Sequence, residues 1–286
     1  MPTIMDCAAV ASPVTLDRPL PDLPAWVAHF QRAPIPVLAS TAEAVQAMHA
    51  REDDVDANLI GELIADDPLM TLRVLSYAAA HRSSRMLTDT GTVTAAVVMM
   101  GIGPFFRAFG VLPTVEDCLR ERQEALAGVR DVLLRSHRAA RLALGFAVHR
   151  MDPDTPLIHQ AALLHDFAEL LLWCHAPRLA LEVRARRRRA PTLRSTEAQR
   201  AVLGIELPEL QFELMRAWQL HPLLVRSADE RHAEQPAVRT ISLAVRLARH
   251  AAQGAENPAL AEDLAETAGL LNLSLTATRQ LVLDIG

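Results

Sequence analysis

The sequence predicts an all-α protein built as a single multi-helix bundle, and three observations carry that prediction. Apolar residues recur at helical spacing along nearly the whole chain, and strand-like alternation bounded by turn residues is hard to find. Glycine is scarce, at 11 of 286 residues. Proline is more frequent, at 18, and Pro68, Pro113, Pro156, Pro177, Pro191, Pro208, Pro222 and Pro258 fall where helices would start or stop.

Taken in order, residues 1–19 read as a loose N-terminal tail. Residues 20–286 read as one helical domain that includes C-terminal helices from about residue 253, with no repeat and no linker long enough to force a cut. Asp56 can cap a helix over 57–65, and Asp66-Asp67-Pro68 opens the next over 68–82. A short apolar helix covers 92–100, and 102–111 continues the hydrophobic layer after Gly101 and Gly103. Residues 116–149 form a long helical stretch with little punctuation except Gly128 and Gly145. Further helices follow near 156–175, 178–189, 195–203, 208–220, 235–252, 258–268 and 274–284.

Composition narrows the function classes. All 29 basic side chains are arginine, which removes Schiff-base lysines, pyridoxal-phosphate attachment and the phosphate lysine of a P-loop. Coding bias in a GC-rich genome accounts for the missing lysine, so it says little else. With 22% charged and 50% hydrophobic residues, a disordered chain is excluded. No apolar run approaches the ~18–20 residues of a membrane span, and 1–24 has no secretory pattern. Cys7, Cys118 and Cys174 make neither a disulfide framework nor a zinc cluster. A reduced, cytoplasmic protein is the expectation.

Charge is unevenly placed: residues 43–67 hold eight acids and one arginine, and 178–200 hold eight arginines and two glutamates. The run Arg184, Arg186, Arg187, Arg188, Arg189 has two readings. One is a solvated helix end whose cations complement the terminal carbonyls. The other is a patch for an acidic partner. The net charge of -5 and the single tyrosine argue against nucleic acid, which leaves an acidic protein surface as the partner class.

The chemistry concentrates at His165-Asp166, inside the most apolar helical stretch of the chain. A His-Asp doublet is costly there unless each polar group finds a partner. If 137–150 and 156–170 pair antiparallel, His137 lies about 20 Å from the turn and His165 about 14 Å, near enough to meet. Imidazole and carboxylate suit a divalent transition metal. Also open on spacing, and the plainer reading, is a neutral His165 held in the core by Asp166 and Glu169. Weaker candidates are His221 with His232, read as caps or surface residues, and His149 with His159 flanking Asp152 and Asp154. Cys174 beside His175 reads as structural, and Met99-Met100 as core.

The arrangement of His137 and then His165-Asp166 resembles the HD superfamily of metal-dependent phosphohydrolases, and specifically its HDOD branch, found in bacterial signalling and regulatory proteins. Leu20-Pro21-Asp22-Leu23-Pro24, the stretch from Ile64 through Asp66-Asp67-Pro68 and Arg73 to Leu75, Ala95 to Gly101, Ala161 to Asp166, and Glu197, Leu203-Gly204, Leu214 and Trp218 carry the likeness over about residues 20–250. The resemblance implies a metal set of His137, His165 and Asp166, completed in catalytic relatives by a late aspartate. The helix that should supply it reads Ser242-Leu243-Ala244-Val245-Arg246-Leu247-Ala248. Phe167-Ala168-Glu169 replaces the usual residues after the doublet, Leu207 stands where a histidine is expected, and Arg231-His232 replaces a histidine pair. The expectation is therefore a vestigial metal site, with no cofactor beyond a residual divalent metal and no catalysis. The expected function is regulatory: a signal-transduction module that binds a signalling or regulatory protein or pairs as a homodimer, without a membrane. The alternatives are an HD-type phosphohydrolase acting on a nucleotide or phosphoester, and a nucleotide or second-messenger receptor.

Overall fold

Several helices begin where a side chain satisfies free N–H groups of the first turn. In the computed structural model, which describes residues 15–81, 91–190, 192–254 and 256–285, Asp22 accepts from Ala25 N at 2.9 Å and opens α1 (Leu23–Arg32). Next come α2 (Ala39–His49) and α3 (Ala57–Ile64), the latter capped by Asp56 through Leu59 N at 2.8 Å. Asp67 caps α4 (Pro68–Ala80) through Leu69 N and Met70 N, and Thr92 caps α5 (Val93–Met100). Then follow α6 (Ile102–Phe109), α7 (Val115–Cys118), α8 (Gln123–His149), α9 (Thr155–Leu163), α10 (Phe167–His175) and α11 (Pro177–Arg189). The C-terminal half adds α12 (Ser195–Leu203), α13 (Leu207–Ala217), α14 (Pro222–Ser227), α15 (Pro236–Ala251), α16 (Ala259–Leu271) and α17 (Leu275–Ile285). Among the described residues there is no strand; an isolated bridge joins Val37 to Thr114.

α8 is the central helix, flanked most extensively by α15 and α9, with α10, α11 and α17 also against it. Its buried face includes Val129, Val132, Ala139, Leu142, Ala143 and Phe146. Phe105, Phe106 and Phe109 of α6 and Trp26 and Phe30 of α1 fill the rest of one continuous core. Gly128 lets α8 meet α10 closely: a Cβ there would sit 2.6 Å from the Trp173 ring.

Two stretches read as single helices are broken. The 116–149 stretch divides into α7 and α8, because the chain turns at Leu119–Arg122 with Arg122 N on Leu119 O at 2.8 Å. The 156–175 stretch divides into α9 and α10 around a 3₁₀ turn, Leu164–Asp166, so the His-Asp doublet lies in a kink. Such a turn within a helical run tightens the backbone and redirects its side chains. α1, α2 and α14 were not among the expected helices; all three are short. Of the expected tail, residues 1–14 lie outside the described residues. Leu16 N donates to His175 O at 2.7 Å, and the Leu16 side chain packs on the core.

Candidate functional site

The Leu164–Asp166 turn meets α8, α9, α10 and α4. Asp166 is 7% exposed, and its carboxylate receives two guanidinium groups. Arg249 of α15 hydrogen-bonds Oδ1, and Arg135 of α8 reaches Oδ2 at 3.5 Å. Arg135 also donates to Glu169 Oε2 at 2.8 Å, and Glu169 Oε1 accepts from Trp173 Nε1 at 3.4 Å. His165 Nδ1 stands 3.4 Å from both Asp166 Oδ1 and Arg249 Nη2. Burial alone would raise the Asp166 carboxyl. Arg249, His165 and Arg135 outweigh it and hold the group well below the usual carboxylate range. Asp166 in turn raises the Arg249 guanidinium.

His137 does not join this cluster. Its Nε2–H donates to the backbone oxygen of Asp66 at 2.6 Å, in the turn between α3 and α4. Donation to a carbonyl keeps the proton on Nε2 and withdraws that nitrogen from metal ligation. The helical register explains the miss. Residues two apart on a helix point about 200° from one another, so when Arg135 faces Asp166, His137 faces away. The near neighbour of His137 is instead His159, which burial holds below the ordinary histidine value while Asp66 opposes.

The residues present therefore do not fit the divalent metal that the resemblance implied through His137, His165 and Asp166. Among the described residues, no three His, Cys, Asp or Glu side chains converge as a metal set. A cation seeking Asp166 would have to displace Arg249. The helix that lacked the expected aspartate supplies arginines instead: Arg249 to Asp166, and Arg246 to α16. Arg246 is bidentate on Glu266 at 3.0 Å and lies 2.6 Å from the fully buried Asp263, which also meets His250 Nδ1 at 2.5 Å. Sequence reasoning missed Arg135, Arg246 and Arg249. The signal available was Arg246 and Arg249 at i, i+3, two cations on one face of a helix otherwise rich in apolar residues.

The Asp-Pro motif has a structural task. Asp67 is 1% exposed, with Oδ2 accepting from Leu38 N at 2.8 Å and Oδ1 from Leu69 N and Met70 N. Arg73 Nη1 donates to Ile35 O at 2.7 Å. Together they fix the 35–38 segment against α4.

The arginine run divides. Arg184, 21% exposed, pairs with Asp131 Oδ2 at 2.5 Å and stacks 4.8 Å from the Trp173 ring centre. These contacts turn Arg184 towards α8, which carries Asp131, and α10, which carries Trp173. Arg186, Arg187, Arg188 and Arg189 are exposed; Arg186 meets Glu182 at 3.4 Å. Among the described residues, Arg187, Arg188 and Arg189 make no ion pair. No helix among the described residues is long and apolar enough to cross a membrane.

Comparison with known proteins adds the family. The model of the HDOD domain matches residues 35–234. Comparison with curated proteins finds no match. Among solved structures, the MmoQ response regulator from Methylococcus capsulatus str. Bath is similar with a TM-score of 0.64 and 21% identity, over 87% of this chain and 98% of that one. A virulence factor from Campylobacter jejuni subsp. jejuni is similar with a TM-score of 0.60 and 16% identity, over 91% and 92%. At these identities the likeness is one of fold.

Proposed function

Since the chain belongs to the HDOD domain family, we propose that it is a non-catalytic signal-transduction module that works in the bacterial cytoplasm by binding a regulatory protein. The name of the response regulator whose fold it shares is in keeping with that role. One observation carries the non-catalytic part: guanidinium groups occupy the carboxylate that a hydrolytic metal would need. A metal that activates water must be held by deprotonated ligands with an open position. Here Asp166 is committed to Arg249 and Arg135, and His137 donates its Nε2 proton elsewhere.

The exposed arginines of α11 and the acidic surface of α2 and α3 are the surfaces through which such a module would act. Glu43, Asp53, Asp54, Asp56 and Glu62 are solvent-facing. Patches of one sign steer partners and set their register more than they add affinity.

The test is metal dependence. Purified protein incubated with zinc, manganese or ferrous iron and then desalted retains no stoichiometric metal, and its thermal midpoint does not move with metal or chelator. Nor does it hydrolyse bis-p-nitrophenyl phosphate. Hydrolysis or one bound metal per chain, lost in both His165→Ala and Asp166→Ala, would return the protein to the phosphohydrolases.

A further inference from the structure

A groove of about 460 Å³ lies between α13, α14 and the 3₁₀ turn that ends in Arg231 and His232, away from the His165–Asp166 turn in sequence and lined by none of its residues. Phe212 and Val225 form its apolar wall, and Arg216, Arg226, Asp229, Arg231 and His232 its polar one. Three guanidinium groups thus face one carboxylate.

That carboxylate is already claimed. Arg231 Nε meets both Asp229 oxygens at 3.0 Å, and Nη2 meets Oδ2 at 2.7 Å. His232 lies 3.8 Å from the same Oδ2. Arg216 turns to Glu213 at 3.2 Å, with its Cζ 5.6 Å from the Phe212 ring centre. Among the described residues, Arg226 has no such counter-charge. Its Nε is buried without a hydrogen-bond partner, and it makes no ion pair among the described residues. A half-buried guanidinium left unpaired is unfavourable, and an oxyanion supplies both the missing charge and acceptors matched to the planar fork.

We propose that this groove binds a phosphorylated small molecule, with its phosphate on Arg226 beside Arg231 and its apolar or planar part along Phe212 and Val225. The volume falls in the range of small-ligand sites, roughly 300–1,000 Å³, and the mix of an apolar wall with a few convergent donors is the composition such sites show. The fully paired Asp229–Arg231 contact fixes one side of the groove, so binding needs no rearrangement of that arginine. The site is independent of the non-catalytic role argued above.

Calorimetric titration of the full chain tests it, with inorganic phosphate and adenosine 5′-monophosphate as probes and adenosine as the uncharged control. Both anions are expected to bind saturably, the nucleotide more tightly, and adenosine to give no saturable heat. Arg226→Gln weakens both by about tenfold or more, the loss of a charge-assisted pair of bonds. Arg231 is largely exposed, so Arg231→Gln keeps the fold and weakens binding several-fold even if Arg226→Gln melts early. Absence of saturation by either anion up to about 10 mM overturns the proposal. So does equal binding of adenosine, or affinity unchanged in Arg231→Gln and in a folded Arg226→Gln.

Discussion

Asp166 and Arg249 stand 83 residues apart in the chain and are joined by a charge-assisted hydrogen bond that ties the Leu164–Asp166 turn to α15. A carboxylate 7% exposed cannot be left alone: removing one partner of such a pair strands the other charge in a low-dielectric site. Arg249 itself is 41% exposed, so solvent screens part of that effect. Arg249→Met is expected to lower the free energy of unfolding by about 2–4 kcal/mol. Asp166→Leu in the same background should restore part of it, since no charge is then left unpaired. A double-mutant cycle by urea unfolding reads the coupling directly, and a coupling below about 0.5 kcal/mol would mean that the two side chains are neighbours only.

Acid sensitivity should come from His175. Burial first, and then His29 beside it, push its pKa down to about 4 from 6.5, while its bond to Pro34 O works the other way. As the pH falls below 6.5 the unfolded chain takes up a proton that the folded protein refuses until about 4. Stability is therefore complete above 6.5 and declines towards 4, by roughly 3 kcal/mol from this residue. His29 has its own pKa lowered by burial and adds in the same direction. His175→Gln can still donate to the Pro34 carbonyl but does not titrate. Urea midpoints of that variant between pH 6.5 and 4.5 should fall less steeply than those of the unmodified protein. Parallel slopes would place the acid sensitivity elsewhere.

Gly128 is a helix-interior glycine kept for packing. Alanine there improves helix propensity by about 1 kcal/mol, yet its Cβ would lie 2.6 Å from Trp173 Cε2 and Cζ2. Trp173 is 3% exposed and is held by Glu169 at Nε1 and by Arg184 on its face, so the ring has little room to withdraw. Overpacking of this kind costs about 1–3 kcal/mol. Gly128→Ala is thus expected to be destabilising on balance, with a lower thermal midpoint and altered tryptophan fluorescence. A midpoint equal to or above that of the unmodified protein would show that α8 and α10 separate freely.

The helical class was legible because periodicity and proline placement act locally: the residues that cap α3 and α4 are among those read from the sequence. The broken stretches were not, because 116–149 carries good helix formers across its break at Leu119–Arg122 and 156–175 stays apolar across its own, so only tertiary packing decides where the backbone tightens. The site was half legible. His165 and Asp166 meet, as adjacency in a buried stretch suggests. The register of α8 was open by half a turn, and that half turn exchanges His137 for Arg135. Arg249 was hidden for another reason. An arginine on an amphipathic helix is ordinarily read as solvated surface, and only the fold brings it to a carboxylate 83 residues away.

The two ends of the arginine run of α11 make opposite predictions. Arg184 has an internal partner on each side, Asp131 and Trp173, and its side chain is only 21% exposed. Arg184→Ala should lower stability by about 1 kcal/mol through lost stacking and a partly shielded pair. It should leave partner binding alone. Arg187, Arg188 and Arg189 carry exposed charge that nothing described neutralises. Replacing the three with serine should change stability by no more than about 0.5 kcal/mol while weakening recovery of an acidic protein partner in a pull-down, more so at low salt, where the Debye length is long. The helix-end reading predicts the reverse. If these cations serve only the terminal carbonyls of α11, the triple variant loses a few tenths to about 1 kcal/mol of stability and recovers the same partner. Measuring thermal midpoint and partner recovery on the two variants side by side separates a surface that holds α11 in shape from one that holds another protein.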